Sequence, residues 1–305
     1  MKAPVVGSPP VVGHSIQFNY DALALIQRLQ ESKGDVFQLN ILNEDVLLFL
    51  TPSATKQIFL DPDDNFSSKH GWEFSIGPTF ENGLMLRDFD DHKYHRSLLQ
   101  NSFRRDALDK YIHIIQPRID SWIEEVKQKR EFYLYKSIKQ LMFNVAVELF
   151  FDEVDDTKLN HLNQLFINSI KPATTIVRSP YPMTRMKKGL KARVELLEYF
   201  QEKSDKIDLS KETLFADLVK TNNEEAGLTN YEIAEHMNFL LLAAHDTTTS
   251  TLTSSIHFLA GNEYYQNKVK TESSTLSKTD ISDLKNGIIG EALFLSLIHI
   301  SEPTR

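Results

Sequence analysis

Apolar residues recur along most of this chain at intervals of three and four, the period of a helix with one buried face. After an extended start set by Pro4, Pro9, Pro10 and Gly13, residues Leu25, Ile26 and Leu29 predict a helix over Asp21–Lys33 that stops at Gly34. Val36–Leu39 and Val46–Leu50 then read as two short strands with a turn near Asn43. Thr51-Pro52 opens a further helix with proline in its first position. The stretch Asp61–Gly83 is rich in Asp, Pro, Ser and Gly but carries Phe66, Trp72, Phe74 and Phe80, and reads as a long loop with aromatic anchors. From there the pattern is helical: Asp90–Phe103, Asp106–Arg130, Tyr135–Phe151, Asp156–Ile170, Thr184–Ile207, Thr213–Thr221 and Glu263–Thr279, with a break over Lys171–Pro182. The expected architecture is mainly α, with a small β element near the N-terminus.

The chain is organised around Thr229–Leu259. Thr229 and Glu232 stand at capping-box spacing, and a helix from Asn230 to Leu259 runs roughly 45 Å, enough to cross a domain. Phe239–Ala244 is apolar on every face, which places the middle of the helix inside the molecule. His245, Asp246, Thr247, Thr248, Thr249 and Ser250 then put polar groups in its deepest turn. A buried acid beside buried hydroxyls is costly unless something uses or satisfies it. One reading is an active-site helix, with Ala243 and Ala244 small enough to admit a flat ligand. The other is a core helix whose hydroxyls bond back to their own preceding turn.

The length of 305 residues allows one or two domains, and the 41% hydrophobic and 25% charged content is ordinary for a globular chain. A net charge of −8 argues against non-specific nucleic-acid binding. There is no cysteine, so the chain itself supplies neither a disulfide nor a thiolate. No apolar run has the length of a membrane span, and the N-terminus lacks the apolar core of a signal peptide; taking Met1 as the start, a cytoplasmic location is expected. The last eleven residues, Leu295–Arg305, resemble the translated end of a sequencing adapter. Residues 295–305 are therefore expected to be foreign, and residues 1–294 to be part of one domain that continues beyond them.

A second constellation lies at Asp91–Arg96. His92 and Arg96 are four apart and share a helix face, where they suit an anion; a solvated charged face is the commoner meaning of such a cluster. His95 points elsewhere and reads as a packed or surface side chain.

Together these residues resemble the cytochrome P450 family of haem-thiolate monooxygenases. Ala243–Thr248, AAHDTT, is similar to the family's oxygen-activation motif, and His92–Arg96, HKYHR, to its haem-propionate motif. Gly34–Phe37, Phe66–Lys69, Gly83-Leu84, Phe103, Pro182-x-Thr184 and Gly189–Arg193 fall in family order around them. The resemblance implies a haem b cofactor, dioxygen, a lipophilic small-molecule substrate and an electron-transfer partner such as a ferredoxin or flavoprotein reductase. It implies Thr247 as the hydroxyl that passes protons to oxygen and Asp246 as the acid gating that relay. His92, Arg96, Phe103 and Ala243 would contact haem. Leu84, Met85 and Ala244 would line a pocket drawn from Trp72–Leu86, Ser169–Met183 and the central helix. Lys93, Arg104 and Arg105 would face an acidic electron-transfer partner.

The departures are as informative. The family's axial cysteine is absent, and its Glu-x-x-Arg pair begins at Glu291 but meets Phe294 in the Arg position. The chain as written is therefore expected to lack haem-thiolate activity. Two other readings compete: a non-catalytic helical module for apolar ligands, and a metal-dependent phosphohydrolase in which His245 and Asp246, with His92 or His95, bind the metal.

Overall fold

The computed structural model describes residues 3–7, 13–41, 44–103, 105–152, 155–175, 178–211, 213–225 and 228–274. The expected turn at Asn43, the side chains of Arg104 and Arg105, and everything after 274, including Glu291, Phe294 and the 295–305 tail, lie outside the described residues.

The chain forms two compact units, Met1–Ser67 and Ser68–Arg305. In the first, α1 (Ser15–Lys33) bends at Asp21, whose carboxylate accepts from the Ala24 N–H at 2.9 Å and restarts the helix where the sequence pattern begins it. Strands β1 (Val36–Ile41) and β2 (Glu44–Phe49) pair antiparallel. Phe37 and Leu39 alternate inward on β1 and pack with Leu25 and Leu29 of α1, a small core built on period two against period 3.6. Thr51 caps α2 (Pro52–Leu60) by accepting from the Ala54 N–H at 3.3 Å.

The second unit is helical in its described residues. It comprises α3 (Ser68–Phe80), α4 (Phe89–Gln100), α5 (Arg105–Lys127), α6 (Leu134–Phe151), α7 (Asp156–Ile170), α8 (Arg185–Asp205), α9 (Leu214–Glu225), α10 (Asn230–Ala260) and α11 (Glu263–Ser273). Short 3-10 turns lie at Leu84–Leu86, Asn101–Phe103 and Lys171–Thr174. The helix starts follow their caps: Asp155 for α7, Thr184 for α8 and the Thr229–Glu232 capping box for α10. Packing is chiefly α10 on α6 and α8, α7 on α8, and α5 on α6. Phe143, Phe166, Leu196, Phe200, Phe215 and Met237 are among the fully buried residues of the shared core.

One expectation fails. Residues 68–80 form a helix, not part of a long loop, although Gly71, Gly77 and Pro78 all oppose it. Ile76, Gly77, Thr79 and Phe80 are buried, and α3 packs on the Leu84–Leu86 and Lys171–Thr174 turns; tertiary burial overrides local preference here.

Candidate functional site

Helix α10 is enclosed after its first turn, where Ile233–Leu241 are all buried. Further along, Ala243 and Thr247, one turn apart, are exposed, while His245 and Thr249 on the opposite side are completely buried. The helix thus presents a small residue and a hydroxyl on an open face directly after a closed one. Thr247 Oγ1 donates to the Ala243 carbonyl at 2.5 Å. Thr249, Thr251, Thr253 and Ser255 repeat that bond to the carbonyls four residues before them, at 2.7–3.0 Å. The back-bonding expected of a core helix is therefore present at every second position from Thr247 to Ser255, and it coexists with an exposed Thr247.

Asp246 is half-buried and anchored from outside its own helix. Lys139 Nζ on α6 donates to its Oδ1 at 2.9 Å. Its carboxyl pKa is lowered to about 2 by the His245 ring at 3.3 Å and by the Lys139 ammonium, against the opposing effect of burial. His245 Nε2–H donates to the Lys139 carbonyl at 3.1 Å, and the ring sits edge-on to Phe143 and Phe166. Lys139 is the partner that reaches Asp246 from another helix. His245 is thus a packed core side chain. Among the described residues, no group of three or more His, Cys, Asp or Glu could hold a metal ion, which removes the geometric basis of the phosphohydrolase reading.

On α4, His92 is half-buried and Arg96 exposed, and neither side chain has a hydrogen-bond or ion-pair partner among the described residues. Two donors for an anion are left available on one face. His95 between them is buried and engaged. Arg87 Nη1 donates to its Nε2 at 2.7 Å, which fixes the proton on Nδ1, and Nδ1–H donates to His236 Nε2 on α10 at 2.8 Å. His236 Nδ1–H is left buried without a partner. Burial first and then Arg87 lower the His95 pKa; burial, His95 and Arg87 lower that of His236 to about 3. The pair is therefore neutral, and it links α4 to α10 two turns before Ala243.

The remaining expected residues divide. Leu84, Met85 and Ala244 pack partly buried against the core, so Ala244 turns away from the open face that Ala243 occupies. Phe103 is exposed at the end of its 3-10 turn. Gly83 touches Phe239 so closely that a Cβ there would lie 2.6 Å from the ring, which fixes the approach of the Leu84–Leu86 turn to α10. Lys93 and Asp90 form a surface ion pair. Sequence reasoning missed Lys139, Arg87 and His236. Lys139 and His236 meet their partners across helices, where no local pattern announces a pair, and Arg87 reaches His95 from the turn just before α4.

The family model described as cytochrome P450 matches residues 4–286. A putative cytochrome P450 136 of Mycobacterium tuberculosis is 29% identical over 286 residues, covering 88% of this chain and 56% of that protein. The protopanaxadiol 6-hydroxylase of Panax ginseng is 25% identical, covering 88% of this chain and 59% of that one. The structure of a retinoic acid-bound cyanobacterial CYP120A1 superposes with a TM-score of 0.80 at 21% identity, covering 96% of this chain and 69% of that chain, and shares the fold. This chain thus spans less than two thirds of the length of those two curated relatives. With the matched family model extending over nearly the whole chain, the protein belongs to the cytochrome P450 family.

Proposed function

We propose that a protein containing this chain is a haem-dependent monooxygenase that inserts one atom of dioxygen into a lipophilic small molecule. The observation that carries this reading is the open face of α10, where Ala243 and Thr247 are exposed beside an ionised, anchored Asp246 on a helix otherwise built into the core. Haem is the cofactor of the family, and when bound it supplies the site of oxygen activation. The residues present fit it in part. His92 and Arg96 are available donors for carboxylates, and Ala243 leaves a flat approach on α10. The axial thiolate is not among them, because the sequence has no cysteine.

In this reading Arg96 and His92 bind and orient the propionates, and Phe103 packs beside them. Thr247 holds a proton at Oγ1. In the resting arrangement that proton is directed to the Ala243 carbonyl, so a rotation about one side-chain bond redirects it outward. Asp246 is the acid behind it, kept ionised and in place by Lys139. Leu84 and Met85 contribute apolar wall. An electron-transfer partner such as a ferredoxin or flavoprotein reductase completes the reaction. Residues 1–294 form the family portion in this reading, and 295–305 are foreign to it.

Reduction under carbon monoxide tests the consequence for the chain by itself. The 305-residue protein is expected to give no thiolate-haem absorbance band, and such a band would overturn that assignment. The binding-module reading remains the alternative for the isolated chain, favoured by the missing cysteine: saturable binding of an apolar probe without haem supports it.

A further inference from the structure

Helix α3 is formed against its own sequence. Each glycine in a helix interior costs about 1 kcal/mol relative to alanine and a proline about 3 kcal/mol, and α3 contains Gly71, Gly77 and Pro78. Pro78 has no N–H, so the Phe74 carbonyl four residues earlier loses its helical donor. The missing donor arrives from elsewhere in the fold. Arg178 Nη2 donates to the Phe74 carbonyl and lies 3.5 Å from that of Ser75, while Nη1 donates to the Pro172 carbonyl at 3.2 Å. The guanidinium also sits 4.4 Å from the centroid of the Phe74 ring. Pro172 is itself pressed against α8: a Cβ on Gly189 would lie 2.2 Å from its ring. One side chain therefore joins α3 to the corner between α7 and α8, and close ring-to-backbone packing secures that corner.

We propose that Arg178 is a positioning residue that stands in for the N–H Pro78 lacks, making the helical state of α3 conditional on its clasp to the α7–α8 corner. When the clasp opens, the Phe74 carbonyl turns to water and the local penalties of glycine and proline dominate, so α3 loosens as a unit. Trp72 and Phe74 ride on α3.

Hydrogen exchange of the amides of residues 68–80 in the full chain tests the clasp without haem or substrate. Arg178→Ala is expected to speed exchange there at least tenfold while leaving the amides of residues 233–241 unchanged. Arg178→Lys, which keeps the charge but loses the fork, should behave the same way. Pro78→Ala restores the intrahelical N–H, so Arg178→Ala added to Pro78→Ala should change α3 exchange less than threefold. Unchanged exchange in Arg178→Ala overturns the proposal, and so does an equal effect in both backgrounds. If Arg178→Ala alone does not fold, the double variant is expected to fold, and its failure to do so counts equally against the clasp.

Discussion

Asp246 and Lys139 are 107 positions apart in sequence and 2.9 Å apart in the fold. A carboxyl held below its usual value of 3.8 contributes stability that is fully present above that value and is lost as pH falls through about 2. The pair is a third exposed, so solvent screening limits its contribution to under about 1 kcal/mol. Lys139→Met is therefore expected to cost little stability but to raise the Asp246 titration midpoint from about 2 toward 3.8, read by carbon-detected NMR of the carboxyl groups. An unmoved midpoint would show that Lys139 does not hold the acid. The His95–His236 pair works in the same direction, in a window at higher pH. Both rings bind protons less readily folded than unfolded, so the folded state is favoured fully above the unfolded value of about 6.5 and loses ground as pH drops from there toward 3. For the His236 ring alone the slope approaches about 1.4 kcal/mol per pH unit. Urea midpoints should fall between about pH 7.5 and pH 5, and His236→Gln should flatten that fall. An equally steep fall in the variant would remove the pair as its cause.

The same contrast between local and distant information runs through the elements. Helices with capped starts and a clean apolar stripe, such as α7, α8 and α10, lie in the sequence where the structure has them, because Asp155, Thr184 and Thr229 write their own boundaries. Helix α3 was not legible, since its glycines and proline signal a loop and its helical state comes from Arg178 and a buried face. At the candidate site, the open Ala243 and Thr247 were readable as small and hydroxyl-bearing residues. The turning of Ala244 to the core was not, because neighbouring helix positions differ by about 100° and only packing decides which of them faces inward. Gly189 gives an element-scale prediction. Replacing a helical glycine by alanine gains about 1 kcal/mol in propensity. Overpacking costs about 1–3 kcal/mol, and at Gly189 the new methyl would meet the Pro172 ring at 2.2 Å and the Asn168 carbonyl at 3.0 Å. Gly189→Ala should therefore lower the thermal midpoint and loosen the α7–α8 corner; a raised midpoint would show that Pro172 yields freely.

At the scale of the molecule, the chain carries a net charge of −8 and no helix among its described residues is long and apolar enough to cross a membrane. It supplies the family's long central helix and the candidate propionate helix, but no cysteine. The account holds that the open face of α10 delivers protons for oxygen cleavage. General acid–base groups contribute rate factors of about 10²–10⁴. The most direct test is the product formed per dioxygen consumed by a haem-loaded protein containing this chain, compared with its Thr247→Ala variant. The account predicts that dioxygen consumption continues while product per dioxygen falls at least tenfold and peroxide takes its place. Unchanged coupling in the variant would contradict it.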